Sequence, residues 1–166
     1  MFRILLKISL LCQLAVLSMN SLALTPTFNV VQEIDFGRLT LGTGSCRMSP
    51  IDGSIVSFQG PFLCSLSGDV QPAKYVIVAN PNHRLQVKVI PSLDNGDGFM
   101  FNPRVNMTND VTSILIVDNT EFVEIDTGTS GIVHLDMGGD LTVYGSISSG
   151  QTFNFTYEAA IEWSEL

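Results

Sequence analysis

The sequence predicts an all-β protein folded as a β-sandwich. After residue 23 no segment has the apolar periodicity of a helix. The chain instead consists of short runs of β-branched and aromatic residues, with Gly, Pro, Asn and Asp between them. Many short strands at this spacing in about 140 residues are typical of a sandwich.

Ten segments have the composition of strands, and no repeat or linker divides them into separate domains. In "RLQVKVI", Leu85, Val87 and Val89 alternate with polar residues, which predicts one buried face and one wet face. The predicted strands are Phe28–Val31, Ile34–Leu41, Gly53–Phe58, Lys74–Ala79, Arg84–Ile90, Val111–Val117, Glu121–Ile125, Gly131–Leu135, Leu141–Ser146 and Thr152–Trp163.

The last predicted strand has the clearest pattern in the sequence. In "TFNFTYEAAIEW", which begins at Thr152, every odd-numbered residue is apolar and nearly every even-numbered residue is polar. Fully extended, the segment would be roughly 40 Å long, which is about twice the usual strand. Its length and its largely aromatic face predict a core strand that a partner must cover. The apolar positions are Phe153, Phe155, Tyr157, Ala159, Ile161 and Trp163.

The N-terminus has the features of a cleaved secretory signal spanning residues 1–23. Arg3 and Lys7 are positive, an apolar stretch follows, and Ser21-Leu22-Ala23 has small residues at the −3 and −1 positions. Cleavage after Ala23 would give a mature chain that begins at Leu24. We therefore expect export, with residues 24–33 as an N-terminal extension and residues 34–166 as one domain.

Charge and cysteine content restrict the partners and the compartment. Removal of Arg3 and Lys7 leaves six basic and sixteen acidic residues, and a net charge of −10. Such a surface repels nucleic acid and anionic membranes. Cys46 and Cys64 remain in the mature chain, and an exported pair most simply forms a disulfide worth roughly 3 kcal/mol. Two buried free thiols are the alternative.

Four features together resemble the subunits of bacterial fimbriae assembled by the chaperone–usher route. They are the opening strand "IDFGRLTLG", the cysteine pair, the segment "MGGDLTVYGSI", and the alternating terminal strand after Gly150. The likeness spans most of the mature chain. It implies an immunoglobulin-like, pilin-type β-sandwich that lacks its final strand and is completed by a donor strand.

The resemblance also implies how such a subunit works. A periplasmic chaperone fills the open groove, and the N-terminal extension of the next subunit then replaces it by strand addition at an outer-membrane usher. The donor would be "LTPTFNVVQE", with Leu24, Phe28 and Val30 as donor side chains. The acceptor groove would include Phe153, Phe155, Tyr157, Ile161 and Trp163. The implied location is the surface of a Gram-negative bacterium, with other pilus subunits as partners.

The stretch "FVEIDTGTSGIV" raises a different possibility, because Asp126-Thr-Gly resembles the catalytic loop of an aspartic protease. That chemistry needs two such loops facing each other, whereas this chain has one copy, near its end. Asp-Thr-Gly is also a good turn composition. A turn is therefore the preferred interpretation, and an enzyme is not expected.

No cofactor or metal is expected either. "DNGDG", which begins at Asp94, has glycine at the third and fifth positions of a would-be calcium loop, and Val105 instead of Glu at the twelfth. His83 and His134 have no Cys or His at metal-ligand spacing. The sequence thus predicts a structural subunit of an adhesive fimbria. The alternatives are a secreted, non-polymerising binding module and, third, the protease.

Overall fold

The computed structural model describes residues 24–38, 42–60, 69–91, 98–117, 121–145, 152–155 and 160–166, with only the backbone described for 152–155. These residues form twelve β-strands and no α-helix. The predicted all-β class is therefore confirmed. The strands are β1 Thr27–Gln32, β2 Ile34–Arg38, β3 Gly44–Met48, β4 Ile55–Gln59, β5 Ala73–Val78, β6 Arg84–Val89, β7 Phe99–Thr108, β8 Ser113–Val117, β9 Val123–Asp126, β10 Ile132–Val143, β11 Thr152–Phe155 and β12 Ile161–Glu165.

The long strand β10 is the centre of a seven-stranded sheet. One edge of β10 pairs with β7, which in turn pairs with β8. The other edge pairs first with β5 and then with β3, and these two strands continue outward to β1 and β4 respectively. All of these pairings are antiparallel.

The Gly138-Gly139 pair lies where β10 leaves β5 and joins β3. A Cβ atom on Gly138 would lie 2.3 Å from the carbonyl oxygen of Met48, and one on Gly139 would lie 2.3 Å from that of Asn102. Gly139 also has a positive φ of 148°. Only glycine fits here, because two neighbouring backbones approach β10 this closely.

Two smaller sheets accompany the large one. In the first, β6 lies between β12 and β9, and in the second β2 pairs with β11. A single hydrophobic core contains residues of the large sheet and of both smaller ones. Phe36 of β2, for example, meets Phe101 of β7 edge to face, with ring centroids 5.9 Å apart. The core therefore lies between the large sheet on one side and the smaller sheets on the other.

The observed strands differ from the predicted ones in three places. The sequence interpretation missed β3 and β7. "GSCRM" is small and polar, and in β7 Pro103 argues against a strand although the apolar residues around it alternate with polar ones. The predicted strands Gly131–Leu135 and Leu141–Ser146 both overlap one strand, β10, which ends at Val143, and Ser146 lies outside the described residues. The prediction of one strand over Thr152–Trp163 is wrong, because β11 pairs with β2 and β12 pairs with β6 in a different sheet. Residues 156–159 between them are outside the described part.

Candidate functional site: the N-terminal strand and its contacts

The N-terminal strand β1 forms an edge of the large sheet and pairs with β5 of its own chain. The antiparallel register places Phe28 opposite Ile77 and Val30 opposite Tyr75, and a bulge follows between Val30 and Gln32. The segment predicted to be the donor strand is thus folded back onto its own body. Without β1, the backbone of β5 would present an unpaired edge.

Phe28 is the side chain that anchors β1 to the core. Its ring stacks on Tyr75 with centroids 5.3 Å apart, and on Trp163 with centroids 6.3 Å apart. Tyr75 belongs to the large sheet and Trp163 to β12 of a smaller sheet, so Phe28 closes the sandwich at this edge. Stacked rings contribute beyond the area that they bury.

The other two predicted donor side chains are more exposed than Phe28. Leu24 is 48% exposed and Val30 is 38% exposed, while Val31, on the bulge, is 63% exposed. Val30 is two positions after Phe28 and lies opposite the buried Tyr75, but its side chain remains exposed at the edge of the sheet. Of the three predicted donor residues, only Phe28 packs against the core.

Hydrogen bonds fix both ends of the N-terminal segment. At its start the Leu24 N–H donates to Oδ1 of Asn80 (2.7 Å), and Nδ2 of Asn80 donates to the Leu24 carbonyl (3.1 Å). At its end Nε2 of Gln32 donates to the carbonyl of Pro72 (2.7 Å). The strand is held in place by its backbone hydrogen bonds to β5, by the Phe28 ring, and by these hydrogen bonds at its two ends.

The predicted groove residues are only partly within the described structure. Ile161 is buried in the core, and Trp163 is half-buried against Phe28. Phe153 and Phe155 belong to β11, whose side chains are outside the described part, as is Tyr157. The structure therefore brings together one predicted donor residue and one predicted groove residue, Phe28 and Trp163. Sequence reasoning missed Tyr75 and Asn80, which carried no local signal because their contacts come from distant segments.

Cys46 is buried on β3 and is disulfide-bonded. Its predicted partner, Cys64, lies outside the described residues. A bridge at this position would attach the large sheet to the connection that precedes β5.

The Asp126-Thr-Gly stretch forms the end of β9 and the turn toward β10. Asp126 is exposed, whereas the adjacent Thr127 is buried. The Thr127 hydroxyl donates to the carbonyl of Asn80 (2.6 Å) and accepts from the N–H of His83 (3.0 Å). Gly128 has a φ of 67°, which favours glycine. Thr127 and Gly128 thus have structural roles in this turn.

A second loop approaches the same turn. Asp110 accepts hydrogen bonds from the hydroxyl and the N–H of Thr129. The hydrogen bond from the Thr129 hydroxyl is the main reason that the pKa of Asp110 is lowered from its ordinary value of 3.8. A depression of about 470 Å³ opens between these loops, with Asn82, Asn109 and Asp126 in its wall.

No group of His, Cys, Asp and Glu side chains that could hold a metal ion is found within the described ranges. His83 lies near Glu165, with 3.4 Å between Nδ1 and Oε1, while His134 is exposed on β10. Of the "DNGDG" segment, residues 94–97 lie outside the described part, and Gly98 has a positive φ of 83°. The described residues also contain no helix that is long and apolar enough to cross a membrane.

Comparisons with protein-family models, with curated proteins and with solved structures find no match for this chain.

Proposed function

We propose that this protein is an exported structural subunit of a surface fimbria. Its sandwich is of the immunoglobulin-like pilin type, and it polymerises by exchange of its N-terminal strand between copies. The observation that carries the proposal is the position of β1. Among the described residues this edge strand pairs only with β5, and Phe28 is its one side chain that packs against the core.

An edge strand attached in this way can be exchanged without rebuilding the rest of the fold. Glu33 alone separates β1 from β2, and β2 belongs to a different sheet. If the chain straightens at Glu33, β1 leaves its own β5 and can pair with β5 of the next copy through the same contacts. Such head-to-tail pairing does not close on itself, so it propagates into a fibre.

The exchange explains why partners are needed before assembly. Displacement of β1 leaves the backbone edge of β5 unpaired and uncovers the rings of Tyr75 and Trp163. An open apolar edge aggregates unless something covers it. A periplasmic chaperone is the partner for that stage, and an outer-membrane usher is the partner for polymerisation. The fibre would support adhesion at the surface of a Gram-negative cell, and neither a cofactor nor catalysis enters the proposal.

The test compares assembly of the mature chain, residues 24–166, with that of two variants. Concentrated samples are warmed close to the unfolding midpoint, cooled, and run on size exclusion with and without excess "LTPTFNVVQE" peptide. We expect ladders from the wild type, loss of ladders with the peptide, and loss of ladders in Phe28→Asp. Val31→Asp is the matched control, because its side chain is exposed on the bulge of the same strand.

A chain that remains monomeric under all of these conditions, and whose melting temperature the peptide does not change, would contradict the proposal. The second candidate function would then apply: a secreted β-sandwich, complete in itself, that binds a ligand. The pairing of β1 with β5 within one chain and the depression beside Asp126 favour that candidate.

A further inference from the structure

The start of the N-terminal strand is held by a single side chain of a distant loop. Asn80 accepts a hydrogen bond from the Leu24 nitrogen at 2.7 Å and donates one to the Leu24 carbonyl at 3.1 Å. One amide group therefore pairs with both backbone groups of Leu24, as a neighbouring strand would. Because β1 begins only at Thr27, this contact lies outside the β-ladder.

Glu165 of β12 fixes the orientation of Asn80. The carboxylate accepts from the backbone N–H of Asn80 and from its Nδ2, each at 2.9 Å. Nδ2 therefore faces the carboxylate, and Oδ1 is directed to the Leu24 nitrogen. The carbonyl of Asn80 accepts from the buried hydroxyl of Thr127, so the loop backbone is held as well.

Glu165 is the acidic group of this hydrogen-bond network. The Glu165 side chain is only 13% exposed, and its ion-pair partner among the described residues is His83, at 3.4 Å. A carboxylate with so little access to water is stabilised by a nearby cation. The Leu24 nitrogen shares Asn80 with this carboxylate, so a positive charge on that nitrogen would lie in the same hydrogen-bond network.

We infer that Asn80 and Glu165 form a binding site for a free α-ammonium group at Leu24. The inference rests on the proposed function, from which it takes export and cleavage after Ala23. Cleavage converts the neutral amide at Leu24 into a cation with three donors, and a charge-assisted hydrogen bond is stronger than a neutral one. Removal of the signal thus strengthens a contact that the Leu24 amide already makes. In a polymer the same site receives the N-terminus of the neighbouring copy and fixes the register of the exchanged strand.

The test measures how accessible the α-amine is in the full mature chain. The protein is purified from the periplasm, its first residue is identified by mass spectrometry, and the acetylation rate of that amine by an N-hydroxysuccinimide ester is followed by peptide mapping. We expect acetylation roughly tenfold slower than in the free peptide "LTPTFNVVQE", since the docked amine reacts only when the strand opens. Asn80→Ala and Glu165→Gln should each raise the rate toward that of the peptide.

Glu124→Gln is the matched control, because it makes the same change at an exposed carboxylate. It should leave the rate unchanged, and circular dichroism verifies that each variant is folded. Equal rates in the wild type and the peptide, insensitivity to both site variants, or a mature chain that starts elsewhere would overturn the inference. Size exclusion of the same samples, after the warming and cooling used to test assembly, separates it from the proposed function. A monomer with a slowly acetylated amine supports the ammonium site and contradicts the fimbrial proposal. A polymer whose amine is acetylated as fast as the peptide supports the fimbrial proposal and contradicts the ammonium site.

Discussion

The ring of Phe28 stacks on the indole of Trp163, with centroids 6.3 Å apart and planes inclined by 21°, although the two residues lie at opposite ends of the chain. Phe28 belongs to β1 of the large sheet and Trp163 to β12 of a smaller one. The contact therefore joins the two layers at the edge where the N-terminal strand is attached. Both the stability of the fold at this edge and the attachment of β1 should therefore depend on the Phe28 side chain.

Replacement of Phe28 by Ala should lower the free energy of unfolding by about 2 kcal/mol, because a partly buried ring and its two stacking contacts are lost. The measurement is chemical denaturation of the mature chain. Asn29→Ala is the control, since its side chain is exposed on the neighbouring position of the same strand. Equal effects of the two changes would show that Phe28 does not anchor β1.

Thr127→Val should lower the free energy of unfolding by about 1–2 kcal/mol, because the buried carbonyl of Asn80 loses a donor and the N–H of His83 loses an acceptor. Asp126→Asn, at the exposed neighbouring position, should change it by less than about 0.5 kcal/mol. Thermal unfolding compares the two variants. A peptidase activity that disappears in Asp126→Asn would contradict the interpretation of this stretch as a turn.

Arg47 and Asp140 form a bidentate ion pair on the large sheet. Nε of Arg47 donates to Oδ1 of Asp140 at 2.6 Å, and an Nη atom donates to Oδ2 at 2.7 Å. The Asp140 side chain is 12% exposed, so Arg47→Met should cost about 2 kcal/mol by leaving a mostly buried carboxylate without this partner. The double variant Arg47→Met/Asp140→Leu should recover part of the loss. Arg84→Met, which breaks the exposed pair with Glu124, should cost less than about 0.5 kcal/mol. Similar losses in the two single variants would contradict this ranking.

Hydrogen bonds from Ser49 and Ser54 lower the pKa of Asp52 from its ordinary value of 3.8 to about 2, and the bond from the Ser49 side chain has the largest effect. Because the folded-state pKa is depressed, the stabilisation from these bonds is present above about pH 4 and is lost as the pH falls through about 2. An NMR titration of the carboxyl carbon measures this pKa. Ser49→Ala should raise it, and Ser130→Ala, in another turn, should leave it unchanged. A midpoint near 3.8 in the wild type would contradict the prediction.

Strand positions with regular alternation could be predicted from the sequence. In β6, alternating Leu85, Val87 and Val89 gave both the strand and its buried face, which the structure confirms. Alternation alone was not sufficient in β7. Its apolar residues alternate as regularly as those of β6, but Pro103 stands among them, and the strand forms because β10 pairs with it along its whole length. The Gly138-Gly139 pair was noticed as a motif, but its role depends on two backbones from elsewhere in the chain.

The candidate site was predicted less completely than the fold. Trp163 was identified from alternation, because the side-chain period of a strand shows which residues share a face. Phe28 was identified as a donor side chain that the resemblance to pilus subunits implies. Tyr75, Asn80 and Glu165 were not identified, because nothing in the local sequence indicates which distant backbone a side chain will meet. The predicted partner for β1 was another molecule, whereas in this structure β1 pairs with β5 of the same chain.

The sequence by itself determined the all-β class and the alternation that makes β1 and β12 capable of packing. These properties follow from side chains a few positions apart, and short-range geometry fixes them. Only the tertiary structure decided that β1 occupies the edge of β5, that Asn80 holds Leu24, and that Glu165 lies behind Asn80. Those contacts join segments that are 56 and 85 positions apart. They form only when packing of the whole core brings the two ends of the chain to the same edge of the sandwich.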